Sequence, residues 1–142
     1  MRLKYAADVR TLIWTLLFTP GLAALLYARP NLISSLWWLS CYFALACGVI
    51  AHNHNHAPTF ESKPLNSAFA NWISIFYGYP TFAWIPTHNL NHHKFVNKAG
   101  DATITWRHTT KNNAIVALTY FFVSSYYQSG PIKEFIRKVT GG

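Results

Sequence analysis

Long uncharged runs alternate with short basic stretches along this chain. Residues 11–28, TLIWTLLFTPGLAALLYA, lie between Arg10 and Arg29 and carry no charge. As a helix they extend about 27 Å, close to the roughly 30 Å of a bilayer's hydrocarbon core. A second uncharged run covers residues 30–60, and its apolar part, LISSLWWLSCYFALACGVIA, occupies residues 32–51. A third lies between Lys63 and Lys94, with an apolar stretch at 67–86 that is interrupted by Gly78, Pro80 and Pro86. Proline removes a backbone donor and blocks the preceding turn, so this stretch predicts two short half-helices or a re-entrant, interfacial segment. A fourth run contains AIVALTYFFVSSYY and predicts a further span at about 113–130. The pattern predicts an all-α integral membrane protein, with a transmembrane helical hairpin followed by interfacial or re-entrant helices.

The first run is longer than the 7–15 residues usual for the apolar core of a signal peptide, and Arg29-Pro30 is a poor flank for cleavage. It therefore reads as a span. Short-loop Lys and Arg set orientation. Arg2, Lys4 and Arg10 precede the first span, and Lys63, Lys94, Lys98, Arg107 and Lys111 follow the second, with Arg29 alone between them. The reading puts the N-terminus and residues 52–111 on the cytoplasmic side. Lys133, Arg137 and Lys138 after the fourth run conflict with a simple crossing there. Either that segment lies in the interface or the charge rule is overridden.

Composition narrows the class further. The 142 residues suffice for one ordinary domain, with 12 Lys and Arg against 4 Asp and Glu, a formal charge of +8. Charged residues make up only 11% while 51% are hydrophobic and 17% aromatic. A disordered basic tail would have the opposite balance, and scattered positive charge is a poor nucleic-acid footprint, so no nucleic-acid partner is expected. The two cysteines, Cys41 and Cys47, sit inside the second run, offer neither a disulfide framework nor a zinc motif, and read as small buried hydrophobes. The tryptophans read as interface and packing residues.

Six of the seven histidines fall within residues 52–93, in two clusters. The first, HNHNHAPTF, holds His52, His54 and His56, and the second, PTHNLNHHKFVN, holds His88, His92 and His93. On a helix His52 and His56 are four apart and share a face, whereas His54 points about 200° away. His54 is therefore expected behind the site or facing solvent rather than as a ligand. His88 and His92 repeat the four-residue relation. His93 lies about 100° round from His92 on an α-helix, in reach of a second metal ion rather than the same one. Imidazole is mostly neutral at pH 7 and binds iron, zinc, copper and nickel, which suits a low-dielectric site. Two such pairs plus an adjacent histidine exceed what one tetrahedral zinc needs, and point to two ions or one very His-rich site. The bundle-type di-iron centre needs several Glu-x-x-His motifs, and Glu61 and Glu134 are not followed by His at that spacing. Asn53, Asn55, Asn89 and Asn91 alternate with the histidines and either hydrogen-bond the ligands or simply suit a polar interface. Asp101, after Gly100, reads as a turn or cap residue, and His108 as a surface histidine.

HNHNH (His52 to His56) followed by HNLNHH (His88 to His93) resembles the first two histidine boxes of membrane fatty acid desaturases and their hydroxylase relatives. Two spans ahead of the first box and a membrane-hugging segment between the boxes match as well, and the resemblance covers roughly residues 10–130. It implies that His52, His56, His88, His92 and His93 are ligands of a non-haem centre of two iron ions that uses O2 to remove two hydrogens from a fatty acyl lipid. It also implies an electron donor of the ferredoxin or cytochrome b5 type. The family has a third box, H-x2-HH or Q-x2-HH, which this sequence lacks; its one later histidine is His108. The chain accordingly reads as the N-terminal part of a desaturase, incomplete relative to the family and expected to be inactive alone. A related hydroxylase is the nearest alternative. A His-rich membrane metal transporter or metal-binding protein is another, disfavoured because the spans carry no charged ligand along a pathway.

Overall fold

The computed structural model describes residues 2–111 and 113–141. All regular structure among them is helical, apart from one isolated antiparallel bridge between Leu3 and Phe60. The chain divides into two compact units, Met1–Phe82 and Ala83–Gly142.

The first unit opens on helix α1, Asp8–Ala28, followed by α2, Pro30–His56. Both are long and apolar enough to cross a membrane. Arg29 (φ −134°, ψ 71°) makes the turn between them, its N–H closing the first helix on the Leu25 carbonyl at 2.8 Å. Pro30 opens the second at a position where a missing N–H costs nothing. Large side chains on the two helices stand exposed, among them Leu17, Tyr27, Trp37, Trp38, Leu45 and Val49. Cys41 is exposed on the same helix, contrary to its expected burial, whereas Cys47 is fully buried and lies 3.7 Å from the Thr19 hydroxyl.

Inside α1 the turn Trp14–Phe18 widens to π-helix. Here Thr19 N–H bonds the Trp14 carbonyl, five residues back. The next donor in that register belongs to Pro20 and does not exist. The Thr15 carbonyl therefore has no partner within its own helix, and it accepts instead from the Trp72 indole at 2.8 Å. A proline in one helix thus creates the acceptor that ties down a tryptophan from another.

Helix α3, Lys63–Tyr77, packs on α2. Cys47, Ala51, Phe60, Phe69 and Ile73 form the buried core between them. Gly48 lies at a close approach, where a Cβ would meet Tyr77 Cε2 at 2.7 Å and push the ring aside. Gly78 ends α3 in the left-handed region (φ 75°), a conformation glycine adopts without steric cost. The break expected at Gly78 and Pro80 is present, but α3 begins at Lys63, four residues ahead of the expected segment.

In the second unit, π-helical Ile85–His92 and an α-helical turn, His93–Phe95, form α4 (residues 85–95). The short half-helix expected before residue 86 is thus displaced into the second histidine cluster. After the loop 96–113 comes α5, Ala114–Thr140, capped by the Asn113 side chain accepting from Val116 N–H at 3.0 Å. It runs past the expected end at 130 and through Pro131. Among the described residues it is not one of the two helices apolar enough to cross a membrane, because serines, tyrosines and Gln128 dilute its second half.

Candidate metal centre

The first cluster occupies the last turn of α2. His52 and His56 meet as the four-residue spacing requires, with ring centroids 4.7 Å apart. His54 points away from them and is buried rather than solvent-facing. Its Nδ1 accepts from Thr59 N–H at 3.3 Å and lies 2.9 Å from the Thr59 hydroxyl. Its Nε2 therefore carries the proton and donates to the Asn66 carbonyl at 3.2 Å. With both nitrogens committed, His54 has no lone pair for a metal. Its task is to fold the 57–62 connection back onto α3, where Asn66 exchanges two 2.9 Å hydrogen bonds with the Phe60 backbone. Asn55 serves the same end by donating to the Thr81 carbonyl at 3.1 Å, and Asn53 Oδ1 lies 3.4 Å from His52 Nδ1.

The second cluster depends on the π-helix. His93 N–H bonds the His88 carbonyl, a five-residue step that makes neighbours of side chains five apart. His88 and His93 consequently bring their Nε2 atoms to 3.3 Å, and His88 also stacks on His92 at 5.2 Å between centroids. The α-helical phase that separates His93 from His88 does not apply here.

His92 leans on Asp101, whose Oδ2 accepts from His92 Nδ1 at 2.8 Å. Asp101 is 1% exposed. It also accepts from Asn97 N–H, Thr103 N–H and the Thr103 hydroxyl at 2.8, 2.8 and 2.7 Å. Burial pushes its pKa up, but the Thr103 hydroxyl and amide, the Asn97 amide and His92 outweigh burial and hold it down at about 2. The carboxylate is therefore ionised and accepts from His92 Nδ1, an arrangement that in the neutral imidazole puts the lone pair on Nε2. Asn91 braces the same loop, donating to the Gly100 carbonyl at 3.1 Å and accepting from Ala102 N–H at 2.7 Å. Arg107 donates to the Asp101 backbone carbonyl at 3.0 Å and stacks on Tyr127 of α5 at 3.5 Å. Tyr120 of α5 donates to the Thr103 carbonyl at 2.9 Å. His108 is exposed and lines a small cavity against α5 with Ile104, Val116 and Tyr120.

Asp101 therefore does more than make the expected turn, and of the alternating asparagines Asn55 and Asn91 bond backbone while Asn53 meets His52. The signal for Asp101 in the sequence is its rarity, since it is one of four acidic residues and the nearest in sequence after the second cluster. The donor chemistry fits iron. The exposed or half-exposed imidazoles are neutral ligands, and a buried carboxylate holds one of them in the tautomer a metal ion needs.

No curated protein and no solved structure matches the chain. The model of one family, described as fatty acid desaturase, matches residues 30–138, from the start of α2 through both histidine clusters into α5. With most of its length inside that match, the chain belongs to the fatty acid desaturase family.

Proposed function

We propose that the protein is a membrane non-haem di-iron acyl-lipid desaturase, with His52, His56, His88, His92 and His93 as iron ligands. The observation that carries the reading is the second cluster. Two bonds of about 2.1 Å to one ion, at angles near 100°, leave the nitrogens roughly 3.3 Å apart. His88 and His93 have that separation, so both fit a single ion rather than two. His92 offers its Nε2 beside them because Asp101 holds the proton on Nδ1.

When bound, iron supplies the reduction of O2 that an unactivated C–H bond demands. Overall, the acyl chain loses two hydrogens and one C=C bond forms. O2 takes up those two hydrogens, two electrons from a ferredoxin- or cytochrome b5-type donor and two protons, and leaves as two waters. The protein's own part is to hold the imidazoles and present the chain. Helices α1 and α2 cross the bilayer with their exposed apolar faces toward lipid, and both boxes face the cytoplasm beside the basic residues of 63–111. Five imidazoles are fewer than two ions coordinate, so turnover requires ligands beyond these five.

The test loads the chain with Fe(II) in lipid nanodiscs and measures bound iron. An acyl lipid, O2 and a reduced ferredoxin are then added, alone and with a separate polypeptide carrying the family's third-box segment. Iron bound by the five histidines and a product lighter by two hydrogens support the reading. A product heavier by one oxygen makes the protein a hydroxylase. Absence of bound iron, or metal passing across vesicles without oxidation, overturns it.

A further inference from the structure

We propose that Asp101 is the positioning residue for His92, and that the loop around it exists to hold that carboxylate. The inference rests on the reading of His92 as an iron ligand. Four donors converge on Asp101, and three of them, the Asn97 amide and the amide and hydroxyl of Thr103, belong to its own loop. They fix both oxygens so that Oδ2 meets His92 Nδ1 at 2.8 Å. The Thr103 hydroxyl spends its proton on Asp101 Oδ1, so its oxygen, 3.1 Å from His92 Nδ1, can only accept from that N–H. Every neighbour of Nδ1 is thus an acceptor. Of the two neutral tautomers only the one with a bare Nε2 satisfies them, and a charged acceptor on Nδ1 makes Nε2 a stronger donor to a metal. The loop is itself held against α5 by the Arg107 bond to the Asp101 carbonyl and the Tyr120 bond to the Thr103 carbonyl.

The experiment uses the full chain in nanodiscs, compares wild type with Asp101→Asn and Thr103→Ala, and has two readouts. Fe(II) is titrated anaerobically, and the His92 ring nitrogens are followed by 15N NMR in the metal-free chain. Asp101→Asn is expected to weaken Fe(II) binding by about 10–100-fold and to replace a single Nδ1–H signal by a mixture of tautomers. Thr103→Ala leaves the carboxylate in place but removes the hydroxyl that fixes Oδ1 and the second acceptor beside Nδ1, and its expected loss is smaller, about 3–10-fold. If Asp101→Asn loses its helical circular dichroism, Thr103→Ala alone decides. Wild-type affinity with an unchanged His92 tautomer in the folded variants overturns the proposal. A wild-type chain that binds no Fe(II) but whose His92 tautomer responds to Asp101→Asn overturns the functional reading and leaves the positioning role standing.

Discussion

His52 and His56 sit on the final turn of the long helix α2, whereas His88, His92 and His93 sit on an eight-residue π-helical stretch and the turn that closes it. In the first region regular helical geometry brings the two rings together, and the polar network around His54 holds the backbone. Its central element, His54, is a histidine that has given up both nitrogens to do so. In the second region the network reaches a box histidine itself, through Asp101. A box can therefore be organised through the helix that carries it and through the imidazole itself, and Asp101 provides the second for His92.

The comparison breaks most visibly at Asp101. Asp101→Ala leaves the Asn97 amide, the Thr103 amide and His92 without their acceptor in a buried position. It is expected to destabilise the 96–103 loop by about 3 kcal/mol or more, read as faster hydrogen exchange at the Asn97 and Thr103 amides, with residues 2–82 unaffected. Unchanged exchange would remove the distinction between the regions. His54→Ala is the counterpart in the first region and is expected to cost about 2–3 kcal/mol by stranding the Thr59 amide and Asn66 carbonyl. Thermal unfolding measures it, and a loss of iron without a loss of stability would make His54 a ligand after all. Gly48→Ala forces Tyr77 aside and is expected to cost about 1–3 kcal/mol. A double-mutant cycle with Tyr77→Ala should recover most of that, and failure to recover it would place the strain elsewhere in the α2–α3 contact. The smallest expected effect is Arg107→Gln, about 1 kcal/mol from the lost stacking on Tyr127 and the hydrogen bond to Asp101. Its sign in the hydrogen exchange of the second-region loop tests whether α5 supports Asp101.

Several features were legible before any coordinates. The charge-free runs place α1 and α2 to within a few residues, Arg29-Pro30 marks the turn between them, and Gly78 and Pro80 mark the end of α3. These follow from polarity and from backbone chemistry that proline and glycine impose locally. The end of α5 was less legible, because its apolar residues fade into Ser, Tyr and Gln well before the helix stops. The π-helix at 85–92 was not legible. Four- and five-residue steps differ by a single hydrogen-bond shift, and a histidine cluster fits either. Asp101 was visible as a residue but not as His92's partner, since the pairing spans nine positions and a loop with left-handed residues at Val96 and Asn97.

By itself the sequence determined which residues form apolar helices, where the chain turns, and which histidines recur at metal-ligand spacing, because each rests on side-chain polarity or on neighbours in the chain. Tertiary structure decided which nitrogens remain available. It buried His54 against Thr59 and Asn66, brought His93 onto His88 through one widened turn, and set a carboxylate behind His92. These outcomes depend on hydrogen bonds between residues distant in sequence, whose free energy exists only once the chain has folded.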